Sequence, residues 1–310
     1  MIHQTLSATL LLSALGAVTA RAEPPAVVRD EAVSKGEESP EQIYRAAADL
    51  LKDNGGEADA SKGFELMLKA ANQDHLPAVF AVAYLYHAGM GAAKDLSKAI
   101  EWFRKAAERD HAISQYNLGK LLIAEVTPLQ PGMQDMTAQH QAGLEWLRKA
   151  AAQGLNEART TYGTLLMNGD VGLKQDPATA ARTYLIPAAE AGDTDAMNAL
   201  GTLYQIGNGV PYDPAAAEVF FRKAAMAGNA KAQANLGEHL DPSSKKESLR
   251  IEAFAWLFIA EEGKNVYAKK ILKSKLPATS PSDIAAAKTK AAEILREIRE
   301  LKKEPPQKEP

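Results

Sequence analysis

Three short segments near the middle of the chain decide the fold: Ala196-Met-Asn-Ala-Leu-Gly-Thr-Leu-Tyr204, Gly207-Asn-Gly-Val-Pro-Tyr-Asp213 and Phe221-Arg-Lys-Ala-Ala-Met-Ala-Gly228. In the first segment, Ala196, Leu200, Gly201 and Tyr204 are spaced i, i+4, i+5 and i+8, which places them on one face of a helix. The small residue on that face admits a neighbouring helix closely. The stretch as a whole predicts two helices joined by a short loop.

This two-helix pattern recurs along the chain. Alanine pairs in the second helix follow one another at intervals of 36, 44, 38 and 36 residues: Ala70-Ala71, Ala106-Ala107, Ala150-Ala151, Ala188-Ala189 and Ala224-Ala225. Small residues in the first helix keep the same intervals: Ala83, Gly119, Gly163, Gly201 and Gly237. Because two independent markers share the same irregular spacing, the chain contains one repeated unit with an insertion in one copy.

The loops carry matching stop and start signals. Glycines that can adopt the left-handed conformation end the first helices: Gly89, Gly169 and Gly207. Aspartates suited to capping begin the second helices: Asp95, Asp176 and Asp213. The predicted units are 40–75, 76–111, 112–155, 156–193, 194–229 and 230–265. The predicted fold class is therefore all-α, with about six two-helix repeats.

Two segments depart from the repeat. Residues Val126–Gln139 form the insertion and are predicted to lengthen a loop, either a functional one or a tolerated one. Near the C-terminus, Ser280-Pro281-Ser282-Asp283 has the form of a capping box, and apolar residues then alternate by three and four up to Leu301. Residues 266–301 are predicted to be capping helices that close the array. The alternative is a helix for dimerisation or for a partner.

These motifs, together with Gly89-Met-Gly-Ala-Ala-Lys-Asp95 and Trp102-Phe-Arg-Lys-Ala-Ala107, resemble the Sel1-like repeat family, which is related to the tetratricopeptide repeats. The resemblance implies a right-handed α/α superhelical solenoid that acts as an adaptor or assembly scaffold. It implies no shared catalytic residue. Some secreted members contain paired cysteines within each repeat, but this chain has no cysteine and is a poor match to that subclass.

Composition narrows the chemistry. The formal net charge of −3 gives no overall electrostatic reason for binding nucleic acid or an anionic membrane, although local basic patches remain possible. The absence of cysteine excludes disulfides and thiolate chemistry. The six histidines lie far apart and form no metal-binding pair, and no nucleophile motif is present. We therefore predict no catalytic residue, no metal site and no cofactor.

The N-terminus has the pattern of a secretory signal. An apolar run from Leu6 to Val18 precedes Ala20-Arg21-Ala22, a small-x-small cleavage site. Residues 1–22 are predicted to be a signal peptide cleaved after Ala22, which gives a periplasmic or secreted protein without membrane insertion. The alternative is an apolar N-terminal tail, because the run is not preceded by Lys or Arg. A flexible leader is predicted for 23–39 and a disordered tail for 302–310.

The predicted partner site lies on the first helices. If they line the inner curve, as in tetratricopeptide repeats, a fixed offset from the buried face gives wall residues in each repeat. The predicted partner site takes from them Tyr44, Phe80, Tyr84, Tyr116, Lys120, Asn198 and Thr202, and adds His87. Phe80, Tyr84 and His87 are spaced i, i+4 and i+7 and form an aromatic stripe. Aromatic residues are frequent anchors at interfaces, and Lys120 suits a peptide carboxylate. The alternative is that the aromatic side chains pack between helices.

Two functions follow from this sequence. The first is an exported adaptor that binds a protein or peptide through its concave face, without nucleic acid and without a cofactor. The second is an envelope glycan-binding module or a peptidoglycan-acting enzyme, because aromatic rings also stack on sugars. Such hydrolysis requires an acid/base pair, which no motif supplies.

Overall fold

The computed structural model describes residues 38–52, 56–124 and 136–303. The predicted signal peptide, the leader up to residue 37 and the tail from residue 304 lie outside the described residues. Within the described ranges every regular element is helical, which confirms the all-α class. No described helix has the length and apolar character required to cross a bilayer. The chain divides into two compact units, between Leu155 and Asn156.

Unit 1 consists of three helix pairs in which each helix packs on the next one along the chain. Its helices are α1 (Pro40–Lys52), α2 (Glu57–Asn72), α3 (Leu76–Ala88), α4 (Leu96–Ala107), α5 (Ala112–Ala124) and α6 (Met136–Ala152). The first pair encloses Ile43 and Met67, and the second encloses Ile100 and Phe103. These side chains are almost fully buried, so apolar packing between successive helices stabilises the unit.

Unit 2 contains three further pairs and two additional helices. The first five are α7 (Asn156–Asn168), α8 (Pro177–Thr179, Ala180–Leu185 and Ile186–Glu190 in succession), α9 (Thr194–Ile206), α10 (Pro214–Met226) and α11 (Ala230–His239). The others are α12 (Glu247–Glu262), α13 (Val266–Lys275) and α14 (Pro281–Leu301), with a 3₁₀ turn at Leu276–Ala278. The first helices of successive repeats also touch, as α7 with α9 and α9 with α11. This is the packing of an α-solenoid.

The loop signals act as the sequence predicts. Gly89, Gly169 and Gly207 end the first helices in the left-handed conformation, with φ of 72°, 74° and 67°. The carboxylate of Asp213 accepts the amide proton of Ala216 at 2.9 Å, and Asp95 and Asp176 do the same in their repeats. The second helices end at another left-handed position, occupied by aspartate in the first two repeats: Asp74, Asp110, Gly154, Gly192, Gly228 and Lys264.

The repeated small residues lie where two helices approach most closely. A Cβ atom added to Gly201 would lie 2.6 Å from the ring of Phe221, and one added to Gly237 would lie 2.7 Å from Leu257. Real Cβ atoms do not approach neighbours so closely. The equivalent Ala83 fits beside Phe103, which corresponds to Phe221. The first helix of each pair therefore rests on the large residue of the second.

Helix α8 contains one residue more than the equivalent helix α10. Asp176 and Ala188 are 12 positions apart, whereas Asp213 and Ala224 are 11 apart. The central segment Ala180–Leu185 is π-helical, a form that accommodates one inserted residue within an α-helix. It ends at Leu185, and Ile186 separates it from Pro187, which has no amide proton to donate to the preceding turn. The widened turn therefore accommodates both the insertion and the proline.

The prediction for the insertion is partly wrong. Residues 126–135 lie outside the described residues, but 136–139 belong to helix α6 rather than to a loop. This helix has 17 residues, against 12 in α4, so part of the insertion extends the second helix by about one turn. Gln139 is 4 % exposed, which shows that the extension is packed.

The C-terminal helix α14 caps the array as predicted. It packs on α12 through Ala287, Ala291, Ile294 and Ile298, all of which are buried. Its N-terminus is capped by Ser280, whose hydroxyl accepts the amide proton of Asp283 at 3.1 Å. The Asp283 carboxylate pairs with Arg250 of α12 at 2.7 Å, and this pairing lowers the pKa of Asp283.

Candidate functional site

Two of the predicted wall residues are buried, which corrects their assignment to an exposed face. Tyr44 is 5 % exposed and Phe80 is 4 % exposed. Each ring packs against the histidine that ends its repeat and precedes the next helix, Tyr44 on His75 at 5.0 Å and Phe80 on His111 at 5.1 Å between centroids. Burial, assisted by the nearby negative charge of Glu41, raises the pKa of Tyr44 to about 12. These two rings therefore pack between helices, which is the alternative interpretation of the aromatic residues given in the sequence analysis.

The other two residues of the aromatic stripe are accessible. Tyr84 and His87 are half-buried near the end of α3, with their rings 6.4 Å apart. Tyr84 also contacts the apolar cores on both sides of it. The body of the ring is therefore fixed by packing while part of its surface meets solvent.

Tyr116 and Lys120 of α5 form the most open part of the predicted site. Tyr116 is half-buried and Lys120 is exposed, and the Lys120 ammonium lies 5.0 Å from the centre of the Tyr116 ring. Among the described residues, the Tyr116 hydroxyl has no hydrogen-bond partner and Lys120 has no ion-pair partner. An ammonium over a tyrosine ring is an ordinary cation–π contact. The pair presents a donor hydroxyl and a positive charge on a fixed aromatic surface.

In unit 2, the predicted residues Asn198 and Thr202 are half-buried and polar. The Asn235 amide donates to the Asn198 side-chain oxygen at 2.8 Å, and the Thr202 hydroxyl donates to the Asn198 carbonyl at 3.2 Å. Asn198 and Asn235 belong to the first helices of successive repeats. The hydrogen bond between the Asn198 and Asn235 side chains therefore joins two helices, whereas that of Thr202 lies within its own helix.

The prediction by an offset from the buried face did not include a glutamine that is buried at the same position in two repeats. Gln115 and Gln233 lie in the first turn of the first helices of repeats three and six. Each side chain donates, at 3.1 Å, to the backbone carbonyl of the second alanine in the alanine pair near the end of the preceding helix. Gln115 also accepts a hydrogen bond from Gln153 at 2.8 Å. Their shared position in the repeat is the signal that could have identified them. They satisfy helix-terminal carbonyls and have a structural role.

A second polar cluster lies between α10, α11 and α12. Arg222 bridges Glu218 and Glu252, and the indole of Trp256 donates to Glu252 at 3.4 Å. Burial lowers the pKa of the neighbouring His239. The hydrogen bond and charge of Arg222 outweigh burial and lower the pKa of Glu252. One arginine is thus shared by two carboxylates in an ion-pair network between helices, which has a structural role.

Within the described residues, no group of three or more histidine, aspartate or glutamate side chains has a geometry suited to a metal ion. The accessible chemistry of the predicted site consists of aromatic surface, hydroxyl donors and a lysine charge. These groups bind a ligand by stacking, hydrogen bonding and charge.

The family model of the Sel1 repeat matches residues 43–75, 76–111, 112–155, 157–193, 194–229 and 230–264. The chain belongs to the Sel1 repeat family. The recognition of the family and of six two-helix repeats is thereby confirmed. Proteins of this family are generally scaffolds for protein–protein interaction and are typically non-catalytic.

Two solved structures are similar to this Sel1 repeat chain. A Sel1 repeat protein from Oxalobacter formigenes is 26% identical, with a TM-score of 0.60, over 73% of this chain and 88% of that one. The protein c5321, a protective antigen of uropathogenic Escherichia coli with an SLR fold, is 18% identical, with a TM-score of 0.52, over 88% of this chain and 65% of that one. No functionally curated protein matches the chain.

Proposed function

We propose that this protein is an exported adaptor that binds a protein or peptide partner through the first helices of its repeats. The family supports a scaffold role, and the exposed groups on α3 and α5 supply a binding surface. The chain itself performs no turnover in this role. Its contribution is to hold a partner in a fixed orientation on a rigid helical framework.

The pair formed by Tyr116 and Lys120 carries the proposal. The hydroxyl of Tyr116 is available to a backbone carbonyl of the partner, and the ammonium of Lys120 is available to a carboxylate. Because the aromatic ring is already half-buried, little side-chain entropy is lost on binding. Tyr84 and His87 of the preceding repeat extend the aromatic surface. The preferred partner segment contains acidic residues.

The test is recovery of a partner by the tagged mature chain from an envelope extract, with proteins identified by mass spectrometry. The site variant is Tyr116→Ala with Lys120→Ala. A matched control replaces the same residue types where they are exposed in unit 2, as Tyr212→Ala with Lys223→Ala. Phe80 is left unchanged because its burial would turn the experiment into a test of stability.

We expect a protein that is recovered by the wild type and by the control but is depleted at least tenfold with the folded site variant. Equal recovery by both variants would rule out this surface. The same proteins are incubated with purified peptidoglycan, and retention there without any recovered protein would favour the glycan-binding alternative. Circular dichroism confirms that each variant is folded.

Export is tested separately, by cell fractionation and N-terminal sequencing of the full chain carrying a C-terminal tag. The apolar run before Ala20-Arg21-Ala22 supports cleavage after Ala22, so the recovered mature chain is expected to begin at Glu23. A chain that stays in the cytoplasm with Met1 intact would contradict export. That result would leave the binding surface of α3 and α5 unaffected.

A further inference from the structure

Helix α13 has a charge pattern that differs from the rest of the chain. Residues 263–282 contain five lysines and no arginine, aspartate or glutamate, although the whole chain has a net charge of −3. The lysines are Lys264, Lys269, Lys270, Lys273 and Lys275, and all are exposed. The matched Sel1 repeats end at residue 264. This basic segment therefore follows the repeats and is not explained by them.

One side of α13 is anchored to the protein. Ala268 and Leu272 are buried, and the side chain of Asn265 donates to the Ala230 carbonyl at 3.0 Å. The Tyr267 hydroxyl donates to Glu238, and at the other end Lys275 donates to the Ser243 hydroxyl at 3.0 Å. These contacts fix the rotation of the helix about its axis.

The opposite side carries the charge. At about 100° per residue, Val266, Lys269, Lys270 and Lys273 fall within an arc of about 100° that excludes Ala268 and Leu272. These four residues are called the lysine face below. Val266 is 81% exposed, and the adjacent Tyr267 is 42% exposed. An apolar side chain thus lies among three ammonium groups on the outer side of the helix.

The lysines of the lysine face form no ion pair with the described part of the protein. Among the described residues, the ion pairs formed by lysines involve Lys52, Lys98, Lys231 and Lys290, and none involves α13. The nearest acidic residues along the chain, Glu261 and Glu262, lie at the end of α12 and precede Lys264. Unpaired exposed lysines in this number create a local positive potential despite the negative net charge.

The choice of residues indicates the kind of anion. Lysine is a strongly hydrated point charge, whereas arginine provides the planar fork that recognises a single carboxylate or phosphate. Lysines surrounding an exposed valine suit a surface that is anionic outside and apolar beneath. The ammonium groups then meet headgroup phosphates, while Val266 reaches the headgroup boundary.

We propose that the lysine face of α13 binds the surface of an anionic phospholipid bilayer. Binding is peripheral, because the helix has 10 residues and remains packed on α12 through its buried side. The site is separate from the first helices of unit 1, and it acts whether or not those helices bind a protein. In combination, the two surfaces would hold a protein partner close to a membrane.

The test is co-sedimentation of the purified mature chain with vesicles of phosphatidylcholine alone or mixed with an equal amount of phosphatidylglycerol. The site variant is Lys269→Gln, Lys270→Gln and Lys273→Gln. The control removes the same number of exposed, unpaired lysines elsewhere, as Lys62→Gln, Lys69→Gln and Lys174→Gln. Since each lysine near an anionic surface changes affinity about fivefold, the site variant should lose on the order of 100-fold.

Binding to the mixed vesicles only, loss in the site variant, retention in the control and release by added salt would support the proposal. Failure of the wild type to bind mixed vesicles would overturn it, and so would equal binding by the two variants. Polyglutamate and duplex DNA are tested at the same charge concentration. Tighter binding to either polymer than to the vesicles would assign the lysine face to an acidic protein or a nucleic acid instead. Recovery of a protein partner is measured independently, so the two proposals can fail separately.

Discussion

Repeat two (76–111) of unit 1 and repeat five (194–229) of unit 2 have the same framework and different surfaces. Their first helices both have 13 residues, both end in a left-handed glycine, and both are followed by an aspartate cap. A buried phenylalanine, Phe103 or Phe221, supports the first helix in each. On the first helix, however, Phe80 and Tyr84 of repeat two correspond to Asn198 and Thr202 of repeat five.

The positions that join the two helices of a repeat are shared. Cap, glycine and phenylalanine positions set the spacing of the helices, so they recur in both repeats. Other first-helix positions differ between the repeats, and burial separates them: Phe80 is buried and packs on His111, whereas Tyr84 and Thr202 are half-buried. Function in such a chain is therefore sought where equivalent residues differ and remain accessible, and stability where they agree or are buried.

The largest expected effect is on the shared framework. Phe103→Ala and Phe221→Ala should each cost about 3–5 kcal/mol of unfolding free energy, because both remove a fully buried ring and leave a cavity. Urea unfolding followed by circular dichroism measures the loss. A cost below about 1 kcal/mol for either variant would contradict the equivalence of the two repeats.

A smaller effect on stability is expected at the small residue of the first helix, which is Ala83 in repeat two and Gly201 in repeat five. Gly201→Ala should cost about 1–3 kcal/mol, because the added Cβ atom would lie 2.6 Å from the Phe221 ring. The reciprocal change Ala83→Gly should cost about 0.5–1 kcal/mol, the ordinary penalty for glycine within a helix. Thermal or urea unfolding of both variants gives the comparison. If Gly201→Ala is neutral, α9 and α10 can move apart without loss.

Acid should affect the repeats differently because their helix caps differ. In repeat two, Nδ1 of His111 accepts the amide proton of Ser114 at 3.3 Å and contacts the Ser114 hydroxyl at 2.7 Å. In repeat five, the equivalent Asn229 accepts the amide protons of Lys231 and Ala232, each at 3.0 Å. Only the histidine cap can be removed by protonation.

Burial lowers the pKa of His111, so the folded state favours the neutral ring more than the unfolded state does. The associated stability is complete above about pH 6.5, falls as the pH decreases below that value, and levels off below the folded-state pKa. His111→Asn should retain the cap and reduce this decline. Unfolding free energies measured at several pH values between about 7.5 and about 5 give the decline in stability. His239, which burial shifts in the same direction, should account for a remaining slope.

An unchanged slope in the His111→Asn variant would show that other groups cause the decline. His239→Gln provides the second variant, since its removal affects unit 2 alone. Additive reductions by the two substitutions are expected, because the residues lie in different compact units.

The smallest expected effects concern the surface residues. Lys120→Ala and Thr202→Ala should each change the unfolding free energy by less than about 0.5 kcal/mol, because the lysine is exposed and the threonine hydroxyl serves only its own helix. Urea unfolding provides the measurement. A larger loss for Lys120→Ala would mean that the cation–π contact with Tyr116 is structural rather than available to a partner.

Most of the framework could be predicted from the sequence because its determinants are local. Asp95, Asp213, Gly89 and Gly207 act within a few residues of their own position, and their spacing repeats. The capping box at Ser280 was equally visible. The six repeats therefore followed from the spacing of these residues, and the family from the resemblance of the motifs.

The accessible surface could not be predicted in the same way. The burial of Tyr44 and Phe80 depends on His75 and His111, which lie 31 residues further along the chain, at the ends of their repeats. A prediction from an offset within one helix leaves out the histidine ring that lies just before a later helix. Similarly, the lysine side of α13 depends on which residues are anchored, and that was known only from the packing of Ala268 and Leu272.

The π-helical turn of α8 has a consequence for the evolution of repeat length. It confines an added residue to Ala180–Leu185, so Ala188 still meets its neighbours although the chain has become longer. Insertions can therefore enter the middle of a helix without shifting the interfaces on either side. Repeat arrays with this device tolerate changes in length that would otherwise put every following contact out of phase.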